Sequence, residues 1–177
     1  VSVGRPQLED STVTELERAA ERISFARGYT LRLVDDIDPA DWFRMPAGVT
    51  HVAWQVGHLA FAQYRLTLLR LRGKAAGDSE LLPDEFLRQF GANSTPDPDA
   101  SRQLPPGEIR AVLDRVHARV LLEVSRFDPA RLNEPIDPPH SIAKTKIDAL
   151  YWCSAHELVH AGQIGLLRRE LGHKPLW

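Results

Sequence analysis

Tyr151-Trp152-Cys153-Ser154-Ala155-His156-Glu157-Leu158-Val159-His160-Ala161-Gly162-Gln163-Ile164 is the stretch whose reading decides the fold. It lies in a run from about Ile142 to Leu171 that has no proline and only two glycines, with apolar residues at helical rather than strand spacing. The run reads as a helix ended by Gly172. At about 100° per residue, His156 and His160 stand one turn apart on one face, where both imidazoles reach a single metal ion. Ala149, Cys153, Gln163 and Leu167 share that side.

A third ligand is sought upstream. Thr50 is placed to cap a helix that continues through His51, Trp54, His58, Ala62, Arg65 and Leu69 to about Arg72, where Gly73 supplies a stop. His51 and His58 share a face but lie about 10 Å apart along the axis, so at most one of them joins the pair. His58 is near the middle of its helix, as His156 and His160 are of theirs. Three neutral imidazoles on facing helices leave a divalent ion one open position for water or substrate, the pattern of a reactive site rather than a closed structural one. The plainer alternative is three hydrogen-bonded core or surface histidines.

Glu157 also makes the stretch read as H-E-x-x-H, the helix signature of zinc proteases with the glutamate as base. The extended form of that motif wants a glycine at Gln163 and a histidine at Leu166, and neither is there. Other forms take a glutamate from a later helix, for which too little chain follows His160. Glu157, about 100° off the metal face, is expected to be solvated or to support a ligand from behind.

The rest of the chain supplies two more amphipathic helices. Thr12 and Glu15 have capping-box spacing, and apolar residues recur from Leu16 to Ile37, which predicts a helix from about Thr12 to Ile37 stopped by Asp38-Pro39. Val1 to Asp10 read as a loose lead-in. Asp41 to Gly48 read as a loop anchored by Trp42 and Phe43. Pro105-Pro106 opens another helix, whose stripe is Ile109, Val112, Leu113, Val116, Val120 and Val124. Between Gly73 and Leu104 the chain turns rich in glycine, proline and acid, with at most a short helix around Asp84 to Phe90, and it is long enough to cross a bundle. A second proline-rich loop runs from Pro135 to Pro139. Four long helices without strands predict an all-α four-helix bundle, a single domain over residues 1–177.

Composition narrows the function. At 177 residues the chain has room for one proper core, and a net charge of −2 with mixed signs leaves no footprint for nucleic acid or an anionic membrane. One cysteine, Cys153, forms no internal disulfide, and no basic-then-apolar leader or apolar span appears, so a cytoplasmic protein is expected.

Trp54-Gln55-Val56-Gly57-His58-Leu59-Ala60 resembles the second-helix motif of the DinB/YfiT-like superfamily. Ala155 to Ile164, followed by Arg168, Leu171 and Gly172, resembles its fourth-helix motif. The resemblance implies a four-helix bundle with an up-down-down-up path, for which the Gly73–Leu104 segment is the long crossover between helices two and three. It places His58, His156 and His160 at the positions of the metal triad. It further implies zinc or nickel, a homodimer, and a low-molecular-weight-thiol S-transferase acting on an electrophilic small molecule. The alternatives are a hydrolase that activates water with the same ion, and a non-catalytic metal-binding stress protein.

Other residues carry paired expectations. Cys153 is either a fourth ligand or a small buried thiol, the latter being commoner. Gln163 is the one catalytic candidate, orienting water or substrate, against a helix–helix hydrogen bond. His51 either lines the pocket mouth or is exposed. Arg65 either holds a substrate carboxylate or pairs with an acid such as Glu123. Tyr29 and Trp54 are read as packing; His117, His140 and His173 as surface residues; Leu176-Trp177 as an apolar end folding back.

Overall fold

The computed structural model describes residues 13–176. The Thr12–Glu15 box, the lead-in and Trp177 fall wholly or partly outside them. The first helix, α1 (Glu15–Val34), is capped instead by Thr14, two residues on, where the same Thr-x-x-Glu spacing recurs. The Glu17 amide donates to the Thr14 hydroxyl at 3.2 Å and the Thr14 amide to the Glu17 carboxylate at 2.7 Å, satisfying two of the amides a helix start leaves open. The helix ends at Val34 rather than Ile37. Trp42 and Phe43 are buried anchors, as expected.

The second helix, α2 (Val52–Leu66), is capped by His51 rather than Thr50: the His51 Nδ1 accepts from the Trp54 amide at 3.0 Å. It breaks at Thr67, whose hydroxyl turns back to the Gln63 carbonyl at 2.6 Å, and a further turn, α3 (Leu68–Arg72), ends at Gly73 with φ +81°. The crossover contains the expected short helix, α5 (Asp84–Phe90), and before it α4 (Asp78–Leu81), which the sequence reading did not find. Asp78 organises that turn by accepting from the Ala75 amide, the Tyr64 hydroxyl and Arg72. Next comes α6 (Pro106–Val124), with every residue of its expected stripe buried. The last helix, α7 (Lys146–Glu170), starts four residues after Ile142 because Thr145 and Asp148 form a second capping box.

The described residues are all-helical, with one isolated bridge, Pro135 to Thr145, and no strand. No helix among them is long and apolar enough to cross a membrane. The longest helix, α7, lies against α1 and α2, and α2 lies against α6. Along α1 and α7, Glu15 meets Tyr151, Arg27 meets Glu157 and the Leu33 carbonyl meets Arg168. Between α2 and α7, Gln55 meets Gln163 and His58 faces His156. Gln63 on α2 meets His117 on α6, and further on Arg72 meets Glu123. Leu59, Phe86, Phe90, Leu113, Leu150 and Ile164 are among the fully buried core side chains, each contributing about 1.5–3 kcal/mol by leaving water. Gly57 lets α5 come this close: a Cβ there would lie 2.4 Å from the Phe90 ring.

Candidate metal centre

His58 from mid α2 and the His156/His160 pair from mid α7 converge. Ring centroids are 4.5 Å apart for His156–His160, 5.0 Å for His58–His160 and 5.8 Å for His58–His156. One nitrogen from each of the three lies within 4.8 Å of the others. Tetrahedral nitrogens bound to one ion at about 2.0–2.1 Å are roughly 3.4 Å apart, so side-chain adjustments on the order of 1 Å close the set.

The surroundings select the nitrogens. His58 Nδ1 is 3.2 Å from the Phe90 carbonyl, which only accepts, so Nδ1–H donates and Nε2 keeps its lone pair. His160 Nδ1 is 2.6 Å from Gln55 Oε1. Gln55 in turn donates its amide protons to Thr50 Oγ1 at 3.0 Å and Gln163 Oε1 at 2.8 Å, which fixes its oxygen toward His160. Both histidines thus have the oriented ring and committed tautomer that metal ligands carry. Trp54 stacks on His58 at 4.7 Å with planes 10° apart, its Nε1–H tied to Ser94 at 3.0 Å, and Trp152 meets His156 edge-on at 6.2 Å.

Burial, and after it the neighbouring imidazoles, push His156 down to about 4 and His160 down to about 3; burial also lowers His58, against its bond to Phe90, with Arg65 adding to the fall. All three rings are neutral near pH 7 with lone pairs free. The donor set suits a divalent ion with a position left open.

A family model described as the DinB superfamily matches residues 22–164. The chain belongs to the DinB superfamily. The matched span contains all three histidines, Trp54 to Ala60 and Ala155 to Ile164, and stops before Arg168, Leu171 and Gly172. No curated protein matches the chain.

In this DinB-superfamily chain Glu157 is neither solvated nor behind a ligand. It is buried in a two-pronged pair with Arg27, at 2.7 and 3.2 Å, and Arg27 also donates to the Leu113 carbonyl and Gln63. A carboxylate so engaged is not a free base for H-E-x-x-H chemistry. Cys153 is buried, and burial raises its thiol well above the ordinary range, which keeps it protonated and inert. Gln163 is exposed and holds Gln55 across the helix interface. His51 is fully buried as a cap and also bonds the Asp97 carbonyl at 3.1 Å.

The three histidines read as surface residues, His117, His140 and His173, are all partly buried. His117 is half-buried against Gln63 and pushed down to about 4 by burial and then Arg27. His140 lines a cavity of about 230 Å³ beside His58 and His156. Arg65 lines the same cavity over the Phe61 ring, while Glu123, its expected partner, pairs with Arg72. The sequence reading missed Gln55, the Phe90 carbonyl and Trp152 around the rings. Gln55 was findable, since it falls on the inner side of α2 one turn from His58; a backbone carbonyl on a separate short helix leaves no such mark.

Proposed function

We propose that the chain is a metal-dependent enzyme that joins a low-molecular-weight thiol to an electrophilic small molecule, with His58, His156 and His160 as ligands of one ion. The observation that carries this is the convergence of three neutral imidazoles, two with Nδ1–H already committed, beside a cavity. An ion bound there supplies a positive charge that lowers a thiol's pKa and favours the thiolate. The chain's own part is to hold the rings, to wall the site with Trp54 and Trp152, and to seat the electrophile in the cavity lined by Phe61, Arg65 and His140. Zinc or nickel fits three imidazoles.

We read the protein as one domain, because a single main core cluster draws on α1, α2, α6 and α7. The partners met along each interface support an up-down-down-up four-helix path: they advance together along α1 and α7 and along α2–α3 and α6, and in opposite senses along α2 and α7. Exposed Phe25 on α1 and Leu158 on α7, which line one surface hollow, support a homodimer through that face.

Cobalt-loaded protein tests the reading. Titration with a low-molecular-weight thiol is expected to shift the visible cobalt spectrum saturably, with no change in a metal-free sample. A cobalt spectrum indifferent to every thiol offered would overturn the thiol assignment.

A further inference from the structure

The cavity beside the histidines is cationic without compensation. Arg65, Arg70 and His140 line it together with His58, Trp152 and His156, and none of its lining residues is acidic. Arg70 is the unusual member. It is 2% exposed, and its Nη1 donates to the Arg65 carbonyl at 2.5 Å, but its Nε and Nη2 are buried without a hydrogen-bond partner. Burial and the neighbouring Arg65 charge both press against its protonation. A buried guanidinium normally has its donors satisfied, and leaving them open is costly.

The two open atoms are the side-on edge of the guanidinium, whose parallel N–H groups match the two oxygens of a carboxylate. Elsewhere in this chain that edge is used in this way: Arg27 gives Nε and Nη2 to the Glu157 oxygens, and Arg131 gives the same pair to Glu134. Arg70 offers it to no group on the described chain. The helix break at Thr67 bears on where Arg70 lies. In an unbroken helix position 70 would stand about 120° round from His58; after the break its side chain is part of the same cavity wall, with Nε and Nη2 themselves covered, so the fork meets a ligand by a side-chain rotation.

We propose that Arg70 is a carboxylate clamp and that the cavity takes a small organic acid. The volume, about 230 Å³, falls short of the roughly 300 Å³ at which pockets begin to hold drug-sized ligands, so the acid is small. The nearby Arg65 and His140 leave the bound anion no acidic neighbour in the lining. That this acid is the electrophile rests on the function proposed above; that an anion binds at Arg70 does not.

The test uses metal-free protein, with a zinc-treated sample run beside it, so it stands apart from the fate of the metal assignment. Succinate, acetate, inorganic phosphate and neutral acetamide are titrated while the arginine Nε–H resonances are followed by NMR. The Arg70→Lys variant, which keeps the charge and loses the fork, is run beside Arg70→Gln, with circular dichroism as the check on folding. Succinate or acetate is expected to bind saturably and to move the Arg70 signal, with affinity at least tenfold weaker in Arg70→Lys, and acetamide to do nothing. Equal carboxylate affinity in wild type and Arg70→Lys overturns the proposal, as does absence of binding to wild type. Phosphate binding through Arg70 without carboxylate binding overturns the choice of a carboxylate. Anion binding that appears only after metal is added, undiminished in Arg70→Lys, puts the anion on the ion and overturns the clamp while sparing the metal site.

Discussion

Gln55 is 1% exposed, and each end of its amide is used: two protons toward Thr50 and Gln163, the oxygen toward His160 Nδ1. Replacing it with leucine leaves His160 free to rotate and to change tautomer. Gln55→Leu is therefore expected to weaken metal binding about 10–100-fold, read by chelator competition, with helix content unchanged. His117 gives a pH signature away from the three rings. Its folded pKa, about 4, lies below the ordinary value near 6.5, so the unfolded chain takes up a proton in between that the folded chain does not. Its contribution to stability is present above pH 6.5 and is lost as pH falls toward 4. His117→Gln should flatten the fall in urea midpoint across that window. At this scale the sequence shows that His156 and His160 share a helix face, while His58 is picked out by its place near the middle of its own helix and by the family resemblance. It does not show that Glu157 finds Arg27, 130 residues away, or that His140 comes in from a loop.

The elements place these groups through a few local features. Gly57 precedes His58 and faces the Phe90 ring, whose backbone carbonyl orients His58. Gly57→Ala forces α5 away and is expected to cost about 1–3 kcal/mol as overpacking, and also to loosen the metal by freeing His58 Nδ1. Retained affinity at full strength in that variant would show that α5 does not position the ring. The Arg27–Glu157 pair joins α1 to α7 on the inside, and Glu157→Gln is expected to destabilise by about 3–5 kcal/mol in urea titration while metal stoichiometry holds. Loss of turnover with stability intact would instead restore Glu157 as a base. The four long helices were legible because amphipathic spacing repeats over many turns. The α2–α3 break at Thr67 and the α4 turn were not, since they depend on a hydroxyl bonding back to Gln63 and on one aspartate collecting three donors. The true caps show the limit of boundary reading: Thr14 carries the capping box expected two residues earlier, Thr145 caps a start for which no cap was read, and His51 does the work expected of Thr50.

For the whole molecule, a net charge of −2 hides a local surplus of positive charge around the histidine site, because Arg65 and Arg70 face it without a carboxylate. Composition averages over the surface; only the folded arrangement separates the signs. An ion held by His58, His156 and His160 would tie together two helices that are distant in sequence, and would stabilise the folded chain by mass action, by about 2.7 kcal/mol at a free concentration 100 times its Kd. Chelation should lower the urea midpoint accordingly. The most direct test is the metal content of the protein after saturation with zinc and removal of the excess, measured beside His58→Ala prepared in the same way. One ion per chain in the wild type and almost none in the variant is the predicted result; equal content in the two, or no retained metal in the wild type, contradicts the account.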